Sequence, residues 1–286
     1  MAGTAQLRVA EPQTDTITDL WDLREFGPQQ PQRDGAVLLL PGAMCTSAFY
    51  DQVVADPRVG GGDTRWIAAT PPGFGGRPVP PKFIPTIEAY AEITSDLAAE
   101  LGVDTIVAHS YFANVAIEMA ATGRFSGRLV LISPCFSTED EESDTRSLGK
   151  LAGTPVVGRV VWTLLPKMMG VGMKGRFPED RQASLVAEMK RFNGKVTRQL
   201  VRYYFEHLEA HEGSIATRLC GSGLESWVVK GADDEVGLSD QPRAQIQGCA
   251  TIKLVTVPDG RHFLMADQPG AVVDVVLQAI QSGYGR

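Results

Sequence analysis

The sequence predicts an α/β protein built around a mostly parallel, doubly wound sheet with one helical insertion. Short, nearly continuous apolar runs alternate with segments whose apolar residues recur at helical spacing, which is typical of buried parallel strands joined by helices. The alternation breaks once, over residues 138–222, where helical patterns follow one another with no strand between them. The chain has 286 residues, which is long enough for one large domain carrying such an insertion.

Six apolar runs are interpreted as buried strands, at residues 36–40, 66–69, 105–108, 129–133, 227–230 and 251–257. Residues 6–11 and 16–26 are interpreted as an opening antiparallel hairpin, which makes the run at 129–133 the sixth strand. Helical spacing predicts helices over residues 48–55, 87–101, 114–121 and 271–280. Thr86 is the expected N-cap of the helix that starts at residue 87.

The insertion follows this sixth strand and is predicted to be a helical cap. It opens with an acidic segment, residues 139–144, that we expect to be exposed, and helical patterns follow at 156–165, 182–192 and 196–210. Ligands of parallel sheets bind beyond the carboxyl ends of the strands, where a cap would wall the pocket. The predicted division is therefore a core domain, residues 1–137 and 223–286, and a cap domain, residues 138–222.

Composition excludes several classes of protein. Hydrophobic residues make up 43% and charged residues 21%, which are ordinary globular values. No apolar run approaches a membrane span and the N-terminal stretch lacks a signal-peptide core, so we expect a cytoplasmic protein with no membrane partner. A net charge of −7 argues against nucleic acid. The sequence gives no indication of the oligomeric state.

The four cysteines and the glycine-rich segments indicate neither a metal nor a cofactor. Cys45, Cys135, Cys220 and Cys249 are far apart and show no metal-ligand spacing, and without an export signal a disulfide framework is not expected. The glycine run at 60–62 does not join a strand to a helix, so it does not resemble a phosphate-binding loop.

Ser110 is the candidate nucleophile. It follows the apolar run at 105–108 and precedes an apolar helical segment, so it lies at a strand–turn–helix corner. A serine on such a corner projects its hydroxyl above the sheet, and the first N–H groups of the new helix point at any oxyanion that forms there.

The chain resembles capped esterases, lactonases and dehalogenases of the α/β-hydrolase fold along nearly its whole length. The order of a serine, an acid and a histidine, with a cap between the first two, is the specific part of this resemblance. The matching segments are Pro41-Gly42-Ala43, Thr70-Pro71-Pro72-Gly73-Phe74-Gly75, Ala108-His109-Ser110-Tyr111, Gly231-Ala232-Asp233-Asp234 and Gly260-Arg261-His262-Phe263.

The expected triad is Ser110, His262 and Asp234. A serine needs an adjacent base, and His262 follows a strand and lies beside a glycine. Among the other histidines, His109 is expected to point away from the serine, and His207 and His211 belong to a charged helix of the cap. The resemblance selects Asp234, rather than Asp233 or Glu235, as the carboxylate that orients the imidazole.

The resemblance also implies an oxyanion hole made by the backbone N–H groups of Tyr111 and Ala43, with Met44 as the alternative to Ala43. The chain departs from the family pattern where the family has a glycine two residues after the nucleophile, because that position is Phe112. Either the helix shifts outward or Phe112 turns into a gap and narrows the site. Pro41 replaces the histidine usual before the glycine of the early loop.

A largely apolar pocket is expected, with Met44, Phe112, Trp162, Met168 and Phe263 as candidate lining residues. Residues 145–205 carry twelve basic and three acidic residues, although the whole chain is acidic. This asymmetry indicates either a solvated helix face or a surface that attracts an anionic substrate or an acidic acyl-carrier protein.

The predicted function is a serine hydrolase that cleaves an ester, thioester or lactone of a small to medium, largely apolar acyl substrate, a small molecule, through an acyl-enzyme on Ser110. Two alternatives stay open at this point. The same fold hosts lyases, cyclases and cofactor-free oxygenases, in which His262 would act as general base. The second alternative is a catalytically disabled protein of this fold that only binds a ligand.

Overall fold

The computed structural model describes residues 17–28 and 31–282, and within them seven strands form one sheet. The strands are β1 (Asp22–Phe26), β2 (Ala36–Leu40), β3 (Arg65–Thr70), β4 (Val103–His109), β5 (Arg128–Ile132), β6 (Ser226–Gly231) and β7 (Ile252–Val257). Their order in the sheet is β1-β3-β2-β4-β5-β6-β7. β1 pairs antiparallel with β3 and every other pairing is parallel, which confirms the predicted fold class.

This strand order places a topological switch point at β2. From β2 the chain crosses to β3 on one side and then returns to β4 on the other. The loops that leave the carboxyl ends of β2 and β4 therefore diverge and leave a crevice between them. Gly42 follows β2 and Ser110 follows β4, so both candidate oxyanion segments border this crevice.

Twelve helices occupy the described residues. They are α1 (Asp51–Val54), α2 (Pro57–Gly60), α3 (Ile87–Glu100), α4 (Tyr111–Ala121), α5 (Ser143–Ala152), α6 (Val157–Gly172), α7 (Glu179–Met189), α8 (Gly194–Ala210), α9 (Ile215–Gly221), α10 (Asp240–Gln247), α11 (Leu264–Asp267) and α12 (Pro269–Gln281). The Thr86 hydroxyl accepts a hydrogen bond from the N–H of Ala89, which confirms it as the N-cap of α3. No helix among these combines the length and apolar character needed to cross a bilayer.

Helices α5 to α9, residues 143–221, follow one another between β5 and β6, and we call them the helical insertion. The insertion follows the fifth described strand, whereas the sequence predicts it after the sixth. The predicted strand at 6–11 lies outside the described residues, and the predicted strand at 16–26 is a short 3-10 helix (Ile17–Leu20) followed by β1.

The core lies on both faces of the sheet. All five residues of β2 are buried, and so are ten of the eleven residues of α4, which packs against β4 and β5. A strand buried on both faces has no polar side to alternate with, which explains the continuous apolar runs in the sequence.

The prediction that the acidic segment 139–144 is exposed is wrong for its centre. Asp140 and Glu141 are only 6% and 7% exposed. The Asp140 carboxylate accepts hydrogen bonds from the backbone N–H and the hydroxyl of Ser239, and Glu141 accepts one from the hydroxyl of Tyr204 at 2.7 Å. Buried carboxylates persist where such donors replace water, and charge patterns along the chain do not reveal those donors.

The expectation that the cysteines form no disulfide is also wrong. Cys220, in α9, and Cys249, after α10, form a disulfide with their Cα atoms 5.9 Å apart. The pair is 29 residues apart in sequence, and the two helices pack against each other, so only the tertiary structure brings the thiols together. Cys45 and Cys135 are free and buried.

Candidate functional site

Ser110 lies at the corner between β4 and α4 in a strained backbone conformation. Its φ of 51° and ψ of −116° fall in a region that L-residues rarely adopt. The sharp corner turns the side chain away from the strand and towards the crevice, and Ser110 borders the cavity there. A Cβ placed on Gly42 would lie 2.6 Å from His109 Nδ1 and 3.2 Å from Ser110 Cβ, so only glycine lets the two loops approach this closely.

His262 and Asp234 lie together on the loops that follow β7 and β6. Nδ1 of His262 is 2.9 Å from Oδ1 of Asp234, and the carboxylate side chain is 1% exposed. The two loops approach so closely that a Cβ on Gly231 would lie 2.1 Å from the Gly260 carbonyl oxygen. Because an ionised carboxylate can only accept, His262 Nδ1 carries the proton of this bond, which leaves Nε2 as the free ring nitrogen.

Lys230 was not predicted from the sequence, yet it contacts the acid of this pair. Its Nζ is 3.2 Å from Oδ2 of Asp234 and donates hydrogen bonds to the carbonyls of Val236 and Gly237. Burial raises the pKa of the Asp234 carboxyl, but the hydrogen bond and charge of His262 and the charge of Lys230 outweigh it and hold that pKa well below its usual value. The carboxylate is therefore ionised at neutral pH.

His109 packs against His262, with the ring centroids 4.7 Å apart. Its Nε2 lies 3.0 Å from the carbonyl oxygen of His262, and burial, together with the charge of His262, holds its pKa well below the usual range. A neutral ring beside a carbonyl must donate, so His109 Nε2–H holds the backbone of His262 in place. This contact gives His109 a positioning role that the sequence analysis did not predict.

The N–H groups of Ala43 and Tyr111 lie on the two loops that flank the crevice. Tyr111 is the first residue of α4, where an N–H has no partner within the helix. Within the described residues no hydrogen bond uses the N–H of Ala43, Met44 or Tyr111, and all three residues line the same cavity. Met44 has a φ of 61°, so this loop, like the corner at Ser110, is held in a strained conformation.

A cavity of about 590 Å³ joins these groups and extends under the helical insertion. Four of the five residues predicted to line a pocket do so: Met44, Trp162, Met168 and Phe263. The other methionines of its wall are Met169, Met173 and Met189. Such flexible, polarisable side chains suit an apolar ligand.

The prediction that Phe112 lines the pocket is wrong. Phe112 is fully buried and packs among the rings of Trp21, Phe74 and Tyr90, with centroids 5.3 to 6.3 Å apart. The side chain at this position points into the core rather than towards the crevice, and an aromatic cluster surrounds it there. The ring is accommodated in the core and does not narrow the cavity.

Ser110 and His262 line the same cavity, but no hydrogen bond joins the serine hydroxyl to the imidazole within the described residues. Contacts between a nucleophile and its base are often long in the absence of substrate and shorten when it binds. The arrangement thus brings an alcohol, an imidazole and three N–H groups to one largely apolar cavity, with an ionised carboxylate buried behind the imidazole.

Comparison with known proteins agrees with the fold. The family model described as alpha/beta hydrolase family matches residues 37–275. No curated protein sequence matches the chain significantly.

Among solved structures, a thermophilic esterase from Thermogutta terrifontis is 17% identical with a TM-score of 0.70, covering 92% of this chain and 93% of its own. An esterase from Exiguobacterium antarcticum is 14% identical with a TM-score of 0.71, covering 91% and 95%. A putative ancestral haloalkane dehalogenase is 19% identical with a TM-score of 0.68, covering 92% and 95%. At these identities the likeness concerns the fold.

Proposed function

The chain belongs to the alpha/beta hydrolase family, and we propose that it is a serine hydrolase that cleaves an ester, thioester or lactone through an acyl-enzyme formed on Ser110. The observation that carries this proposal is the placement on one cavity of a strained Ser110 and of His262, whose Nδ1 is bonded to the buried Asp234. A nucleophile, its base and the group that orients the base are the minimum set for acyl transfer.

In the proposed mechanism His262 Nε2 takes the proton of the Ser110 hydroxyl as its oxygen attacks the substrate carbonyl. Asp234 keeps the proton of the imidazole on Nδ1 and stabilises the imidazolium that forms. The N–H groups of Tyr111 and Ala43 donate to the developing oxyanion. The imidazolium then returns its proton to the leaving oxygen or sulfur, and a water activated by His262 hydrolyses the acyl-enzyme.

The cavity favours an apolar acyl group. Leu148, Leu165, Val201 and five methionines contribute to its wall, which suits an alkyl or aromatic chain. Two cationic side chains, Arg176 and Lys167, also line it, but Glu142 and Glu235 pair with the guanidinium of Arg176, and four acidic residues of the wall outnumber the two cations: Glu141, Glu142, Asp144 and Glu235. An anionic group within the cavity therefore gains little, and we assign the apolar part of the substrate to this space.

Labelling and substitution of Ser110 test the proposal. A fluorophosphonate should modify Ser110 alone, located by peptide mass spectrometry, and Ser110→Ala should abolish both labelling and ester turnover. Ser126→Ala is the control, because Ser126 is exposed and lies outside the cavity lining. Full turnover by Ser110→Ala would overturn the acyl-enzyme mechanism and favour chemistry in which His262 acts as base without a covalent intermediate.

A further inference from the structure

Three side chains with metal-binding atoms meet where the helical insertion packs on α3. They are Glu88 in the first turn of α3, His207 in α8, and His211, the residue that follows α8. One side-chain donor atom of each lies within 4.8 Å of the donor atoms of the other two. None of the three lines the cavity that contains Ser110.

The geometry of the cluster follows from helix periodicity and packing. His207 and His211 are four residues apart, so their rings lie on the same side of α8, with centroids 4.6 Å apart. The His207 side chain is 4% exposed, and its Nδ1 lies 2.7 Å from Oε1 of Glu88. The Glu88 side chain is 56% exposed, so it can rotate without disturbing the core.

We propose that Glu88, His207 and His211 bind a divalent transition-metal ion of the zinc type. Two imidazoles and one carboxylate are a recurrent zinc ligand set, with water as the fourth ligand. Tetrahedral ligands about 2.0–2.1 Å from the metal are about 3.4 Å from one another. Rotation of Glu88 would widen its 2.7 Å contact with His207 Nδ1 to this value, and a small shift of His211 would bring its donor atom, within 4.8 Å of the other two, to the same spacing. Mg²⁺ and Ca²⁺ prefer oxygen ligands and suit this set poorly.

The charges around the cluster do not oppose a cation. Arg218 is the cationic side chain that acts on His211, and its Nη1 lies 2.7 Å from Oε2 of the buried Glu118. The ion pair offsets the positive charge of Arg218, and Glu88 adds a further carboxylate. A divalent ion at the three ligands therefore meets a net negative environment.

A metal at this position would join two parts of the fold. Glu88 belongs to a helix that packs against β4 and α4, whereas α8 belongs to the helical insertion. The same α8 carries Leu200, Val201 and Tyr204, which line the cavity. The ion would thus fix the insertion over the cavity from outside, and this inference is independent of the chemistry at Ser110.

Titration of the full chain with ZnCl₂ after chelator treatment tests the inference. We expect one Zn²⁺ per chain by isothermal calorimetry with a Kd in the micromolar range or tighter, and a Tm higher by about 5 °C at hundredfold excess over Kd. MgCl₂ should have no effect. His211→Gln and Glu88→Gln should each weaken Zn²⁺ binding at least tenfold, whereas Glu92→Gln, an exposed glutamate one turn along α3, should bind like the native chain.

No saturable binding of Zn²⁺ by the native chain would overturn the inference. An affinity that either of the two ligand substitutions leaves unchanged would overturn it as well, since the site needs all three side chains. The readouts are binding and Tm rather than turnover, so this test and the labelling of Ser110 succeed or fail separately.

Discussion

Replacing Asp234 by Asn tests the central contact of the site, the 2.9 Å bond between its Oδ1 and His262 Nδ1. The amide keeps the size of the side chain but removes the charge that stabilises the imidazolium and the acceptor that fixes its tautomer. In a serine triad this change lowers kcat about 10⁴-fold, which corresponds to about 5.4 kcal/mol of transition-state stabilisation. KM for a p-nitrophenyl acyl ester should change much less.

The same substitution also has a cost in stability that the structure allows us to estimate. Lys230 loses its ion-pair partner but keeps its hydrogen bonds to two backbone carbonyls, so the cost lies near the lower end of the range for a broken buried pair, about 3 kcal/mol. Tm should fall by about 5 °C. Kinetics must therefore be measured well below the midpoint of the variant.

The pH dependence has a defined sign. The pKa of Asp234 is depressed in the folded state, so its contribution to stability is complete above the unfolded value of about 3.9 and is lost as pH falls through the folded value. The difference in unfolding free energy between the native chain and the variant should be constant from about pH 5 to 8 and shrink below about pH 4.

Asp233→Asn is the matched control, because Asp233 is exposed and adjacent. It should retain native kcat and Tm. Asp234 does not orient His262 for catalysis if Asp234→Asn, shown to be folded by circular dichroism, keeps kcat within tenfold of the native chain, or if Asp233→Asn is the variant that loses activity.

Phe112→Ala should lower the unfolding free energy by about 3–5 kcal/mol in urea titrations, because it leaves a void in a packed aromatic cluster. KM should be unchanged. A raised KM with native stability would place the ring in the cavity instead. Gly42→Ala should lower kcat/KM by at least about 10²-fold because the new methyl group meets the ring of His109. Native kinetics would contradict so close a contact between the loop at Gly42 and His109. Cys220→Ser should lower Tm by about 5–7 °C, since a 29-residue separation makes the bond worth about 3–4 kcal/mol. Cys249→Ser should lower Tm equally, and the double variant should lower it no further.

Much of the fold follows from local patterns along the chain. The apolar runs became strands β2 to β7, because a strand buried on both faces needs continuous apolar residues. The N-cap at Thr86 depends only on neighbouring residues and was predicted. Ser110, Asp234 and His262 were predicted as site residues from motifs that follow β4, β6 and β7, and the sheet topology brings the carboxyl ends of these strands to one edge.

Contacts between segments far apart in the chain could not be predicted from local patterns. The space that accepts Phe112 is made by Trp21, Phe74 and Tyr90, from three other parts of the chain. Packing between helices and loops likewise sets three other contacts. It supplies the hydrogen-bond donors that allow Asp140 to be buried, and it brings Cys220 to Cys249 and Glu88 to His207. Sequence periodicity reports which face of an element is buried, whereas the partner that it meets depends on how the elements pack in three dimensions.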